Sequence, residues 1–135
     1  MTYTGRCFCG AFSYQCNADP VFQFNCHCRD CQQATGSAYA PLMFFNNDVM
    51  ETNGTLTFYE SIGGSGKKIR RGFCPRCGSL VLGKVEAVAD RTSVLAGTLD
   101  NTSLYHPKAN AFCSQASHWD HMDPALTRFS GKPKR

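Results

Sequence analysis

Three cysteines stand within six residues in the stretch Cys26-His27-Cys28-Arg29-Asp30-Cys31. The C-x-C step places Cys26 and Cys28 on one side of an extended strand, because side chains alternate faces with a period of two. The C-x-x-C step to Cys31 is the tight-turn spacing at which two sulfur atoms reach one zinc ion. All three sulfurs can therefore converge on a single tetrahedral ion.

The local sequence supplies no fourth ligand for this ion. Structural zinc sites are normally closed by four protein ligands, whereas catalytic sites keep one position for water or substrate. We therefore expect an open, labile zinc site, and the alternative is a closed structural site completed by Cys16, Cys113 or a histidine. Cys16 and Cys113 are themselves typical of small buried core residues. His27 lies between two ligands on a strand, so it is expected to point away from their metal.

A second set of cysteines joins the start of the chain to its middle. Cys7 and Cys9 form a C-x-C step between glycines, and Cys74 and Cys77 form a C-P-x-C-G knuckle of the kind found in zinc ribbons. Each pair needs two more sulfurs, so we expect the four cysteines to bind one structural zinc ion. These ligands lie far apart in the unfolded chain, so metal binding there would contribute directly to the free energy of folding.

The length of 135 residues suits a single zinc-binding domain over residues 1–135. No apolar signal segment follows Met1, and the longest apolar run, residues 42–45, is much too short to span a bilayer. These features predict a cytoplasmic protein without a membrane partner. Nine cysteines in that setting indicate metal sites, whereas a disulfide framework would require a secreted context.

The formal net charge of +4 is weak evidence for binding to nucleic acid. Seven thiolates and two Zn²⁺ ions would bring the net charge of the metal-loaded protein to about +1. The basic run over residues 67–71 is expected to form an exposed strand face. The charge balance therefore argues against a nucleic-acid partner.

Short segments of strand character follow one another, and no long stretch has a period of 3.6 residues. In segment 11–16 the apolar side chains share one face. Further strands are predicted over residues 21–24, 38–45, 56–59, 67–73, 80–82 and 92–96. A helical turn over residues 32–35 is expected to end at Gly36. Beyond Tyr105 the chain is predicted to be irregular, with Trp119 as its large anchor.

The chain resembles the glutathione-dependent formaldehyde-activating enzyme family, which also contains centromere protein V, in three ordered motifs. These are G-x-C-x-C-G at 5–10, C-H-C-R-x-C-Q at 26–32 and F-C-P-x-C-G-S at 73–79. The similarity extends through residues 34–39, 97–100 and Trp119, and so covers nearly the whole chain. It implies an all-β, zinc-ribbon-like β-tent of several small coiled antiparallel sheets, with little helix and two zinc sites.

The resemblance also implies which cysteines serve each zinc site. The structural site would comprise Cys7, Cys9, Cys74 and Cys77. The open, catalytic site would comprise Cys26, Cys28 and Cys31. Arg29 and Gln32 flank the open site and are candidates to hold a carboxylate or backbone group of glutathione.

The implied activity is that of a carbon–sulfur lyase. It condenses glutathione, or a related thiol, with formaldehyde or another small aldehyde to S-hydroxymethylglutathione. Two alternatives belong to other classes of function. One is a glutathione-binding or carrier protein without real turnover, and the other is a zinc-stabilised interaction module for protein or nucleic acid.

Overall fold

The computed structural model describes residues 1–134, which form short strands and, within that range, one α-helix. The helix, α1, spans Arg29–Thr35. The strands are β1 Tyr3–Arg6, β2 Ser13–Cys16, β3 Phe22–Cys26, β4 Ala40–Asn46, β5 Met50–Asn53, β6 Thr57–Ile62, β7 Lys68–Phe73, β8 Leu80–Val85, β9 Arg91–Leu95, β10 Ala109–Ala111 and β11 Thr127–Arg128. Short 3₁₀ turns occupy Asn47–Val49, Glu86–Val88, Ala96–Thr98, Thr102–Leu104 and Cys113–Gln115.

The strands form two open sheets. The smaller sheet has the order β1-β2-β5 and is antiparallel, and the larger has the order β11-β10-β3-β4-β9-β8-β7-β6. In the larger sheet β10 runs parallel to both β3 and β11 at one end, and the other pairs are antiparallel. The mainly β, zinc-ribbon-like fold is thus confirmed, although its strands gather into two sheets with parallel pairs at one edge.

The main hydrophobic core lies between the two sheets. In β2 the side chains of Tyr14 and Cys16 are buried while Gln15 between them is exposed, as alternation on a half-buried strand requires. Tyr3 of the small sheet packs edge-on against Phe45 of the large sheet, with ring centroids 5.4 Å apart. The predicted face of segment 11–16 is therefore a core face.

The large sheet is also apolar on its opposite face. In β4, Met43 and Phe45 belong to the main core, whereas Leu42 and Phe44 belong to a second cluster on the other side. That cluster also contains Cys26, Cys28 and Cys31, and α1 packs against β4. The fold therefore brings the three-cysteine stretch onto an apolar face of the large sheet.

The structure confirms most of the local predictions and corrects two. The strands expected between residues 11 and 96 are present, and the helical turn is ended by Gly36 in a left-handed conformation with φ 68°. The helix begins at Arg29, a turn earlier than expected. Trp119 is 58% exposed and anchors no core, so that expectation was wrong. None of the helices formed by residues 1–134 is long and apolar enough to cross a membrane.

Candidate metal centres and the adjoining cavity

The four cysteines from the start and middle of the chain meet in one group. The Sγ atoms of Cys7, Cys9, Cys74 and Cys77 all lie within 4.8 Å of one another. The Cys7–Cys9 Sγ distance is 3.7 Å and the Cys9–Cys74 distance is 3.8 Å. A tetrahedral zinc ion with bonds of about 2.3 Å to sulfur separates its ligands by about 3.8 Å. This group could hold one metal ion, and its spacing is compatible with zinc.

Backbone N–H groups point at the sulfur atoms of this group. The N–H groups of Arg76 and Cys77 donate to the Sγ of Cys74, each at 3.4 Å, and the Phe12 N–H donates to the Sγ of Cys7 at 3.3 Å. Hydrogen bonds to a charged form favour that form. The two turns therefore stabilise thiolates, which are the form that binds a metal.

Ser79 connects the two halves of the group. Its Oγ accepts a hydrogen bond from the Phe8 N–H at 2.9 Å and lies 3.2 Å from the Sγ of Cys77. The hydrogen bond from Ser79 lowers the pKa of Cys77 to about 5. Cys77 is therefore available as a thiolate at neutral pH.

The other three cysteines meet at the start of α1. Cys26 is the last residue of β3, Cys28 is the extended N-cap residue of α1, and Cys31 lies in the first turn of α1. Their Sγ atoms lie within 4.8 Å of one another, and the Sγ of Cys28 accepts the Cys31 N–H at 3.3 Å. This group also could hold a metal ion.

The acidity of the three thiols shows why a cation suits this group. Hydrogen bonds from Cys26 and then Cys31 lower the pKa of Cys28 to about 2. The same contact with Cys28 raises the pKa of Cys26 above its ordinary value. Neighbouring buried thiolates repel one another, so all three ionise together only when a cation is present.

No fourth ligand joins this group within the part of the chain that the structure describes. Cys16 is buried in the main core between the sheets. The S–H of Cys113 is directed at the Asn110 carbonyl oxygen, 3.4 Å away. His118 and His121 are exposed and belong to neither cysteine group. The structure thus brings three cysteines together here and leaves the expected closing candidates elsewhere.

A cavity of about 690 Å³ adjoins the three-cysteine group, and all three cysteines line it. One apolar face of the large sheet forms much of its wall, through Phe24, Leu42, Phe44, Leu80, Val85 and Leu95. The cavity is large enough for a small organic molecule. The cysteine group therefore faces a space that a substrate could occupy.

Arg71 brings a cation into the same cavity. Its guanidinium Nη2 lies 3.9 Å from the Sγ of Cys31, and the side chain is half-buried. The sequence analysis assigned Arg71 only to an exposed basic run. Strand alternation places Arg71 on the same face of β7 as Ile69, which also lines the cavity. A charged residue that shares a strand face with an apolar one was therefore the sequence feature that could have pointed to Arg71.

Known proteins are similar to this chain over most of its length. The family model described as glutathione-dependent formaldehyde-activating enzyme matches residues 2–115. The chain belongs to this family.

A crystal structure of a Rhodobacter sphaeroides protein shares the fold, with a TM-score of 0.58 at 16% sequence identity. The match covers 93% of this chain and 98% of that chain. No curated protein matches the chain.

Arg29 and Gln32, the expected substrate-binding residues, do not themselves line the cavity, although their neighbours Cys28, Asp30 and Cys31 do. The Gln32 side-chain amide donates to the carbonyl oxygens of His27 at 2.7 Å and Gln115 at 2.9 Å. The Gln32 Oε1 accepts from the Arg29 Nη1 at 2.7 Å. Gln32 is only 5% exposed and its polar atoms are occupied by protein groups, so its contacts fix α1 to the residue before its N-cap and to the distant 3₁₀ turn Cys113–Gln115.

His27 is completely buried between its two neighbouring cysteines. Its Nε2 lies 2.9 Å from Asn110 Oδ1, and its Nδ1 lies 3.2 Å from the carboxylate of Asp120. Both ring nitrogens therefore lie close to protein oxygens, and the buried imidazole holds the backbone between Cys26 and Cys28 in place. The sequence predicts that His27 points away from the metal of its neighbouring cysteines, and its ring nitrogens lie beside Asn110 and Asp120 instead.

Proposed function

We propose that the protein is a zinc-dependent carbon–sulfur lyase that condenses glutathione, or a related thiol, with formaldehyde or another small aldehyde. With formaldehyde the product is S-hydroxymethylglutathione. One observation carries this proposal: the three-cysteine group, without a fourth protein ligand in residues 1–134, lines a cavity of about 690 Å³. Membership of the family supports glutathione and formaldehyde as the small-molecule partners.

The two cysteine groups take different roles in this proposal. Cys7, Cys9, Cys74 and Cys77 would hold a structural zinc ion, and Cys26, Cys28 and Cys31 would hold an open, labile one. When bound, the second ion supplies a fourth position that keeps a substrate sulfur deprotonated at neutral pH. The apolar wall beside it excludes water from the reacting sulfur.

Arg71 contributes a charge to the same reaction. Three protein thiolates and one substrate thiolate exceed the charge of a Zn²⁺ ion, and the guanidinium beside Cys31 offsets part of that excess. Arg71 therefore favours binding of the thiol as an anion. The contacts of Gln32 hold α1 in place, whereas Arg29 is exposed beside the site and is the candidate that we retain for holding a carboxylate of glutathione.

Calorimetry tests whether the site binds a thiol sulfur. Glutathione should bind with release of a proton, so the apparent enthalpy should differ between two buffers of different ionisation enthalpy. S-methylglutathione keeps the peptide groups but cannot supply a thiolate, and it should bind at least tenfold more weakly. Equal affinities without proton release would refute the proposal.

A glutathione carrier is the second candidate, and it has one point in its favour. A zinc ion that already has three thiolate ligands is a weak Lewis acid for a carbonyl group, so thiol capture without turnover suits it. NMR exchange spectroscopy distinguishes the lyase from the carrier. It measures the rate at which the hemithioacetal exchanges with free glutathione and aldehyde, at a protein concentration far below that of the substrates. Catalysed exchange supports the lyase, and binding without it supports the carrier.

The basic run over residues 67–71 does not form the continuous charged surface that an interaction module for nucleic acid would need. Arg71 faces the cavity, whereas the Arg70 guanidinium lies over the ring of Phe58, 4.6 Å from its centroid. The charges are thus divided between two faces of β7.

The nine cysteines, in reduced form, suit the cytoplasmic location that we propose.

A further inference from the structure

We propose that the aldehyde partner carries an apolar chain or ring, and that this group occupies the cavity beside Cys26, Cys28 and Cys31. The inference rests on the proposed function, because it assumes that a thiol sulfur binds at these cysteines. It goes further by naming the class of aldehyde that the cavity selects.

The size of the cavity is the first observation. Formaldehyde has two non-hydrogen atoms, whereas a cavity of about 690 Å³ falls in the range that encloses much larger organic ligands. With the glutathione peptide directed towards solvent, as the charges on the cavity indicate, formaldehyde would fill only a small part of this space. The volume therefore matches an aldehyde with several further carbon atoms.

The chemistry of the wall is the second observation. Strands β3, β4, β8 and β9 each direct apolar side chains into the cavity. The rings of Phe24 and Phe44 lie parallel, at an interplanar angle of 2° and a centroid distance of 5.9 Å. A sheet face exposed to water is normally polar, so an apolar face on an open cavity indicates an apolar ligand.

The charges on the cavity indicate where the glutathione peptide lies. Apart from the cysteines, the ionisable residues that line it in the described chain are Asp30, Arg71 and Lys132. Asp30 and Lys132 are exposed, so they belong to the mouth. Glutathione carries two carboxylates and an ammonium group, and burying these against an apolar wall is costly. The peptide therefore lies towards solvent, and the apolar space remains for the second reactant.

The reaction requires no oxidant or reductant. The thiolate sulfur attacks the carbonyl carbon and forms the C–S bond, while the electron pair of the C=O π bond moves to oxygen. That oxygen takes a proton from solvent to give a hemithioacetal. In the reverse direction the hydroxyl loses its proton, the C=O bond re-forms and the C–S electron pair returns to sulfur.

An aldehyde series tests the inference on the zinc-loaded protein. With glutathione fixed, kcat/KM should rise from formaldehyde through propanal to hexanal, by about fourfold for each buried methylene. A flat or falling series with formaldehyde still turned over would overturn this inference and leave the proposed function intact. A failure of every aldehyde, together with equal binding of glutathione and S-methylglutathione, would overturn both.

A second arm asks which reactant carries the apolar group. Hexanethiol with formaldehyde places the same chain on the thiol rather than on the aldehyde. The inference predicts that glutathione with hexanal reacts with the higher kcat/KM. A preference for hexanethiol with formaldehyde would overturn it.

Two matched variants locate the effect in the cavity. Leu42→Gln places an amide among the lining side chains and should lower the hexanal-to-formaldehyde ratio of kcat/KM by roughly tenfold. Val21→Gln makes a similar change at an exposed residue outside the cavity and should leave the ratio unchanged. Equal ratios in the two variants would contradict the inference, and thermal melting of both checks that they fold.

Discussion

At the scale of single residues, surroundings decide what each cysteine can do. Cys16 is completely buried in the main core, and this burial raises the pKa of its thiol to about 12. Cys28 lies among two other thiols and accepts the Cys31 N–H, and these hydrogen bonds lower its pKa to about 2. The same type of side chain is therefore an inert core group in one place and a candidate metal ligand in the other.

The buried thiol of Cys16 predicts a loss of stability in alkali. Its folded pKa of about 12 lies above the ordinary value of 9.0, so its stabilising effect is complete below pH 9 and is lost as pH rises towards 12. The free energy of unfolding should fall more steeply with pH in this window for the wild type than for Cys16→Ala.

Denaturant titrations from pH 8 to pH 11 measure the two slopes. Burial also raises the pKa of Tyr14, so the variant should retain part of the alkaline slope. Identical slopes for wild type and Cys16→Ala would show that the Cys16 thiol is not protected from ionisation.

Arg71 predicts an electrostatic effect on thiol binding. Removing the guanidinium beside Cys31 in Arg71→Gln should weaken glutathione binding by roughly tenfold, the usual size of a lost hydrogen bond to a charged group. Arg70→Gln on the same strand is the matched control, because Arg70 packs over Phe58 instead. Calorimetry measures the affinity of both variants for glutathione. An equal loss of affinity in the two would show that Arg71 has no specific part in binding the thiol.

At the scale of elements, sequence reasoning succeeded where the signal is local. Alternation of apolar side chains predicts β2, a continuous apolar run predicts β4, and Gly36 predicts the end of α1. β10 and β11 have only three and two residues, too few for a periodicity, and parallel pairing with β3 is a long-range contact. For this reason the sequence could not predict them.

The same distinction applies to the site. The spacing of the cysteines predicted both groups, because C-x-C and C-x-x-C steps bring sulfurs together locally. The positions of Arg71 and Gln32 depend on how β7 and α1 pack against distant strands and loops. The sequence therefore predicted which cysteines come together but could not predict the side chains that surround them.

The two cysteine groups should differ in their effect on folding. Cys74→Ser breaks a group that connects the loop after β1 to the end of β7, so it should lower soluble yield and melting temperature strongly. Cys28→Ser changes a local group and keeps an oxygen to cap α1, so its cost should be about 1 kcal/mol or less. Thermal melts compare them, and equal destabilisation would mean that the three-cysteine group also stabilises the whole fold.

At the scale of the whole molecule, the two groups should lose metal separately. The purified protein should contain up to two zinc ions, and a chelator titration should remove the ion at Cys26, Cys28 and Cys31 first. Circular dichroism should stay unchanged during that first loss. Simultaneous loss of both ions with cooperative unfolding would mean that both sites are structural.

X-ray absorption at the zinc edge tests the central claim most directly. Protein with both sites loaded should show an average number of sulfur ligands per zinc between three and four. Addition of glutathione should raise that average to four, whereas S-methylglutathione should leave it unchanged. An average of four before glutathione is added, or no change when it is, would contradict an open zinc site that binds the substrate through its sulfur.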